Sequence, residues 1–582
     1  MGSLSRRSVL RGSGIAAGAL AVGPLSPALA VRRRRVAVLG GGMAGLAAAH
    51  ELVERGFEVT VYERKALGGK ARSIPVRGTA AGGRRDLPGE HGFRFFPGFY
   101  HHIPDTMRRI PFGANENGVF DNLVPAPVPL FPRSGGRDDM QLFGFAPDPR
   151  HLASPDALIR LIRDEWLGRQ AVMPHEAAYF ASRLVVYLSS CDERRMGQWE
   201  KTSWWDFVRA EKHSAEYQTV AARGMTRALV AAKEEVASTR TIGNMAEAFM
   251  YALAGVGTEG HADMVLNGPT NEVWIDPWLQ LLRSKGVRFR TGTTVVGLDV
   301  ANGRITGARA TTPNGPTTIE ADWFVSAMPV ERVTPLLSAR VLRAAPRLEG
   351  LKSLVVDWMN GVQFYLRRPV DITHGHVAFI DSPWSLTALT QGQFWTNDFP
   401  ATYGDGRAVD CLSVDVSDWT TPGILFGKPA KRCTKAEVRA EVWAQMKAAL
   451  EDTGASVLPD DVLHSWFLDP AIQWDPARRA NTNDEPLLIN TVDSWKLRPR
   501  ARTGISNLFL SGDFCRTNVD LATMEGANES GRQAANAILD ESGARGTPAP
   551  IYKMHRPPEW EALKVADKAL YRLGRKNAFD IG

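Results

Sequence analysis

Apolar residues in this chain follow two rhythms, short unbroken runs and three-to-four-residue periodicities, and their order sketches the fold. The first run, Val36-Ala37-Val38-Leu39, is apolar at every position, as in a strand covered on both faces. A helical pattern follows to Arg55, and a second strand is expected from Glu58 to Tyr62. From Ser154, with Pro155 at the first helical position, the spacing turns helical as far as Ala254. There Leu158, Leu161, Ile162 and Trp166, then Ala181, Leu184, Val185 and Leu188, recur at helical intervals. Alternation of helix and strand resumes with a helix from Trp274 to Ser284 and a strand from Val287 to Arg290. A hairpin of Val295 to Val300 and Arg304 to Ala310 turns across Asn302-Gly303, and Trp323 to Ala327 reads as a buried strand. Further strands are expected at Val355 to Tyr365 and Leu412 to Val416, and a helix at Lys435 to Leu450. A strand from Leu508 to Ser511 precedes a helix from Met524 to Leu539. Finally, Glu559 to Gly574 carries Trp560, Leu563, Ala566, Leu570 and Leu573 on one helical face, a pattern that fits docking on the body or, as the alternative, a membrane surface.

The turn after the first run carries the chemistry. Gly40, Gly42 and Gly45 fall in the spacing G-x-G-x-x-G between strand and helix, and the second strand ends in Glu63. Gly40 permits the tight turn, Gly42 lets the backbone approach a pyrophosphate, and Gly45 lets helix and strand pack closely. The helix N-terminus faces the phosphates and Glu63 takes ribose hydroxyls, so the unit reads as a dinucleotide site.

Within ten residues of the acid comes Gly68-Gly69-Lys70-Ala71-Arg72-Ser73, a second glycine pair with cations. This addition resembles the FAD-binding flavoprotein superfamily of amine oxidases and carotene desaturases. Three further segments are similar to that superfamily. Gly89 to Tyr100, with His91, Arg94 and five aromatic residues, is similar to a segment that lies beside the flavin in plant-type carotene desaturases and hydroxysqualene dehydroxylases. Gly286 to Val295 resembles the segment whose valine backbone meets the adenine. Asn507-Leu508-Phe509-Leu510-Ser511-Gly512-Asp513, followed by Met524-Glu525-Gly526-Ala527-Asn528-Glu529-Ser530-Gly531, is similar to the desaturase C-terminal signature, with departures at Ser511 and Cys515. The resemblance implies FAD held by Gly40, Gly42, Gly45, Glu63, Gly69, Lys70, Val295, Gly512, Asp513 and Met524. It also puts His91 beside the flavin as a proton acceptor, with Arg94 orienting it or the substrate.

Length and charge then bound the rest. At 582 residues two or three domains are expected. The implied class is α/β, a Rossmann-like FAD domain of the glutathione-reductase type in three pieces (35–130, 266–330 and 491–545). These interleave with a mixed α+β substrate domain (a helical part at 131–265 and a second part at 331–490), and a tail covers 546–582. The net charge of +7 is carried entirely by seven arginines in residues 1–35, which hold no acid. The remainder is neutral, so a nucleic-acid partner has no electrostatic basis. Ser5-Arg6-Arg7-Ser8-Val9-Leu10-Arg11 resembles the twin-arginine export motif, and Ala28-Leu29-Ala30 suits cleavage, so residues 1–30 are expected to direct export to the periplasm, envelope or exterior. Four cysteines without a C-x-x-C pair write neither a zinc site nor a redox motif; isolated buried thiols are expected, with one or two unassigned disulfides after export as the alternative, and no metal is expected.

The resemblance implies an FAD-dependent oxidoreductase of a hydrophobic, isoprenoid-like substrate. An exported amine or amino-acid oxidase of the same fold, and a non-catalytic FAD-containing lipid-binding protein, are the alternatives. The tryptophans clustered at Trp199 to Trp205 and Trp384 to Trp395 are expected to line an aromatic channel.

Overall fold

The structure, a computed structural model, describes residues 34–140, 147–167, 172–227 and 232–580. The expected export segment lies outside the described residues. Strands Arg35–Leu39, Glu58–Tyr62, Arg288–Arg290, Trp323–Ser326 and Leu508–Leu510 make one five-stranded sheet, with the first strand at its centre. Every pairing in it is parallel. Val36 and Val38 belong to the core on one face, and Ala37 and Leu39 to the core on the other. Burial on both faces is why that run is apolar throughout.

Helix Met43–Glu54 covers one face of the sheet, and helix Met524–Glu541 lies against it. The two helices touch at Gly531, where a Cβ would stand 2.6 Å from the Ala44 carbonyl oxygen. The opposite face is covered by an antiparallel sheet of Thr294–Ala301, Arg304–Thr312 and Gly315–Ile319. The dinucleotide fold is therefore assembled from three separated stretches of chain.

Between them, residues 155–253 form a set of helices around their own core, and a second five-stranded sheet is built from residues 360–468. Its order is Val377–Ala378, Thr387–Thr390, Asp410–Val416, Asn360–Leu366 and Leu463–Leu468, all antiparallel, with helix Lys435–Leu450 against one face. The single strand expected from Val355 to Tyr365 is two strands in different sheets, Val355–Asp357 and Asn360–Leu366.

The tryptophans do not line a channel. Trp199, Trp204 and Trp384 are core residues at 3%, 0% and 0% exposure, and no tryptophan among the described residues stands on the cavity wall. The C-terminal helix, Glu561–Arg572, is docked in part by the apolar face read from the sequence: Trp560 is fully buried and Leu563 packs on the helical core, while Ala566 is exposed. Asp567 pairs with Arg194 at 2.9 Å with both side chains buried, while Val565 and Leu573 face solvent. All four cysteines are buried and unpaired.

Candidate active site

One cavity of about 1160 Å³ runs from the glycine turn between the two domains into the helical region. That exceeds the roughly 300–1,000 Å³ of a site for one small ligand and leaves room for cofactor and substrate together. At its first end Gly40 sits at φ +113, where a Cβ would meet the Ala327 carbonyl oxygen at 2.6 Å. Gly42 opens directly onto the cavity, and the nearest atom to its missing Cβ is Gly69 Cα at 3.6 Å. Helix Met43–Glu54 starts on Gly42 with no side chain capping its N–H groups. Uncapped helix donors beside bare glycine backbone are what a pyrophosphate requires.

Glu63, on the same wall, accepts the Gly41 N–H at 2.8 Å and the Lys65 N–H at 2.7 Å, which fixes its carboxylate at the end of the second strand. Asp513, at the far edge of the sheet, lines the cavity without a hydrogen bond from its carboxylate to any described residue. Gly512, Val295 and Met524 complete this end. The donor set and the space fit FAD.

Gly45 is behind the turn and off the cavity wall, since a Cβ on it would lie 2.0 Å from the Gly40 carbonyl oxygen; it serves the helix–strand packing expected of it. Lys70 reaches the wall, but its ammonium donates to the Pro486 carbonyl and lies 3.6 Å from Glu331, so it is not free for a phosphate. Burial raises the Glu331 carboxyl above its usual range, which Lys70 partly offsets.

The cavity then becomes apolar, with Phe93, Phe95, Phe99, Ile242, Met245 and Phe249 among its walls. His91 stands at the junction, with Nδ1 2.6 Å from Asp469 Oδ2, though the ring is not aligned for a hydrogen bond. Arg94 makes no contact with His91. It donates to the Gly92 carbonyl and lies 3.5 Å from Glu90, because the chain doubles back between them. His91, Asp469 and Glu485 bring their ligand atoms within 4.8 Å of one another, a spacing a cation accepts. Arg72 and Lys65, each 3.2 Å from Glu485, already balance that charge.

Sequence reasoning missed Asp415. It lines the cavity with its carboxylate against Gly92, where a Cβ would come within 2.6 Å of Oδ1, and Oδ1 has no partner. Burial raises this carboxyl to about 7; Arg94 lowers it, and Glu90 and Asp469 raise it. Such a group gives and takes a proton near neutrality. The signal in the sequence was an aspartate inside the run Asp410-Cys411-Leu412-Ser413-Val414-Asp415-Val416, every residue of which is buried. Asp263 Oδ1, His376 Nε2 and Thr387 Oγ1 are further unpartnered atoms on residues of the same wall.

Comparison with known proteins agrees with this geometry. Residues 257–539 match the family model of flavin containing amine oxidoreductases, and residues 38–110 match that of NAD(P)-binding Rossmann-like domains. The chain is 24% identical to a zeta-carotene desaturase of Synechocystis over 87% of its length and 97% of that protein's. It is 25% identical to a carotenoid phi-ring synthase of Streptomyces griseus, covering 88% and 89% of the two chains. In fold it is similar to cyclohexylamine oxidase of Brevibacterium oxydans, with a TM-score of 0.57 at 14% identity over 88% of this chain and all of the other. A putrescine oxidase gives 0.56 at 14% identity, covering 87% and 99%. The protein is a flavin-dependent oxidoreductase. It is a flavin amine oxidase/carotene desaturase-like protein, and its cofactor is FAD.

Proposed function

We propose that the enzyme dehydrogenates a long hydrophobic substrate of isoprenoid type. The observation that carries this reading is the apolar wall that continues from the cofactor end into the helical domain. Similarity to carotene desaturases along most of the chain supports it. Gly40, Gly42, Gly69 and the N-terminus of helix Met43–Glu54 would cradle the pyrophosphate, Glu63 would take the adenosine ribose and Asp513 the ribityl hydroxyls, with Gly512, Val295 and Met524 beside them. Bound there, FAD supplies a two-electron acceptor.

Forming a carbon–carbon double bond then requires one substrate carbon to lose hydride and its neighbour to lose a proton. Asp415, a residue of the cavity wall whose buried Oδ1 lies against Gly92 without a partner, takes the proton. Arg94 sets the charge around Asp415. His91, with Nδ1 2.6 Å from Asp469 Oδ2, positions the chain segment that would meet the flavin. Residues 1–30 direct export.

A second reading rests on Asp415 and Asp263, two residues of the same wall that each carry a buried, unpartnered carboxylate oxygen and could receive an ammonium group. Anaerobic mixing of the FAD-loaded protein with polyenes, squalene derivatives and amines separates the two. Flavin bleaching by isoprenoids in detergent or liposomes is the expected result. Rapid bleaching by simple amines, with every isoprenoid inert, would transfer the protein to the amine oxidases. Tight binding of isoprenoids with no bleaching by any compound would make it an FAD-containing lipid binder.

A further inference from the structure

Large apolar side chains exposed on this protein occur singly, with one exception among the described residues. Ile424, Leu425 and Phe426 are consecutive and are 53%, 54% and 38% exposed. They form the tip of a closed loop. The Gly423 N–H donates to the Lys428 carbonyl at 3.0 Å, Pro422 and Pro429 form a bridge at its neck, and Gly427 turns the chain at φ +61.

The loop is built around an anion. Glu441, at 0% exposure, lies beneath the tip and accepts the N–H groups of Ile424 at 2.5 Å and of Leu425 and Phe426 at 3.0 Å. A Cβ on Gly423 would come within 2.3 Å of the Glu441 carboxyl carbon, so the glycine is needed to seat it. With every backbone donor of the tip satisfied from below, the three side chains are held outward on a preformed knuckle.

Charge says what the knuckle meets. From Trp419 to Ala436 there is no acid, while Lys428, Lys431, Arg432 and Lys435 follow the tip within nine residues of it. Lys428 pairs with Glu437 at 2.6 Å and Lys431 with Asp357 at 3.1 Å; Arg432 and Lys435 are exposed and have no acidic partner among the described residues. Apolar side chains flanked by cations suit the boundary between acyl chains and anionic headgroups. A second copy of the chain fits less well, because a stable dimer covers roughly 800 Å² on each partner and three side chains offer far less. At the foot of the loop, Asp418 holds Arg227 at 2.7 Å, two residues from Met225 on the cavity wall.

We propose that the loop Pro422–Pro429 is a membrane-docking element that sets the enzyme on an anionic lipid surface. The proposal stands apart from the substrate reading: vesicle binding without turnover of any isoprenoid would leave it intact and remove the other.

The test is flotation of FAD-loaded protein with vesicles of phosphatidylglycerol and phosphatidylcholine, against phosphatidylcholine alone. Preferential binding to the anionic vesicles, weakened by salt, is expected. The variant Ile424→Ser/Leu425→Ser/Phe426→Ser should bind at least tenfold more weakly with its flavin spectrum unchanged, and Arg432→Gln/Lys435→Gln should lose the preference for anionic lipid. Should the triple variant fail to fold, Leu425→Cys carrying an environment-sensitive dye replaces it, and its emission should shift to the blue on adding vesicles. No vesicle binding by the wild type, equal binding by the triple variant, or an unshifted dye would overturn the proposal. So would a light-scattering result in which the triple variant turns a dimer into a monomer while lipid binding is absent, since the knuckle would then be a protein interface.

Discussion

Replacing Asp415 by Asn isolates a buried carboxyl on a cavity-wall residue, with an unpartnered Oδ1 and a value near neutrality. Its folded value of about 7 lies roughly three units above the ordinary 3.8, because burial outweighs the help of Arg94. At 1.36 kcal/mol per unit, that is on the order of 4 kcal/mol. The folded state holds the proton more tightly than the unfolded chain. The stabilisation is therefore fully present below about pH 4 and is lost as pH rises through 7. Asparagine keeps the shape and cannot ionise. The variant should match the wild type at pH 4 to within about 1 kcal/mol and exceed it by up to ~4 kcal/mol at pH 8.5. Asp410, raised to about 6 by burial, contributes equally to both proteins and cancels. The assay is the unfolding midpoint of FAD-loaded protein across this range, with the rate of flavin reduction measured in parallel. That rate should rise with pH through about 7 in the wild type and be slow and flat in the variant. A stability difference independent of pH, or an unaltered pH–rate profile, would refute the assignment.

Other expectations are narrower. Asp520, buried between Arg240 and Arg498, ties the cofactor domain to the helical domain, so Asp520→Ala should cost about 3–5 kcal/mol in chemical denaturation, whereas a loss below 1 kcal/mol would mean the arginines are held by other groups. His91→Ala should retain FAD and slow anaerobic reduction by a hydrophobic substrate; unchanged reduction would remove His91 from the site. Changing Arg6-Arg7 to Lys-Lys should leave flavin-containing precursor in the cytoplasm, and normal export would show that the segment is not a twin-arginine signal.

The dinucleotide unit was legible because its determinants are local. A run apolar at every position, glycines at fixed offsets and a terminal acid each act within a few residues, and the observed strand Glu58–Tyr62 has the bounds read from the pattern. Helix Lys435–Leu450 was legible for the same reason, since Thr434 and Glu437 form a capping box at its start. What escaped depends on distant partners. Asp415 acquires its character from Arg94, Glu90 and burial beneath Gly92, none of which its own strand announces. Lys70 was expected among the residues that hold FAD; it reaches the cavity wall, and Glu331 and Pro486, more than 250 residues away, engage its ammonium. The tryptophans show the limit of composition: bulk says that they pack, and only topology says whether against a core or a cavity. Glu525, within the C-terminal signature, accepts the backbone N–H groups of His101, His102 and Ile103, a structural duty that the motif alone does not reveal.

Every step proposed for this enzyme passes through FAD held against the glycine turn, and Gly42 allows that to be tested without disturbing the fold. Its φ is −80 and its missing Cβ would meet only Gly69 Cα, at an ordinary 3.6 Å, so alanine fits the protein and intrudes only on a bound pyrophosphate. The decisive measurement is titration of FAD into apoprotein of the wild type and Gly42→Ala, followed by visible absorbance, with the thermal midpoint of both apoproteins as control. The account predicts stoichiometric binding by the wild type and at least a hundredfold weaker binding by the variant at an unchanged midpoint. Equal FAD affinity in the two proteins would contradict it.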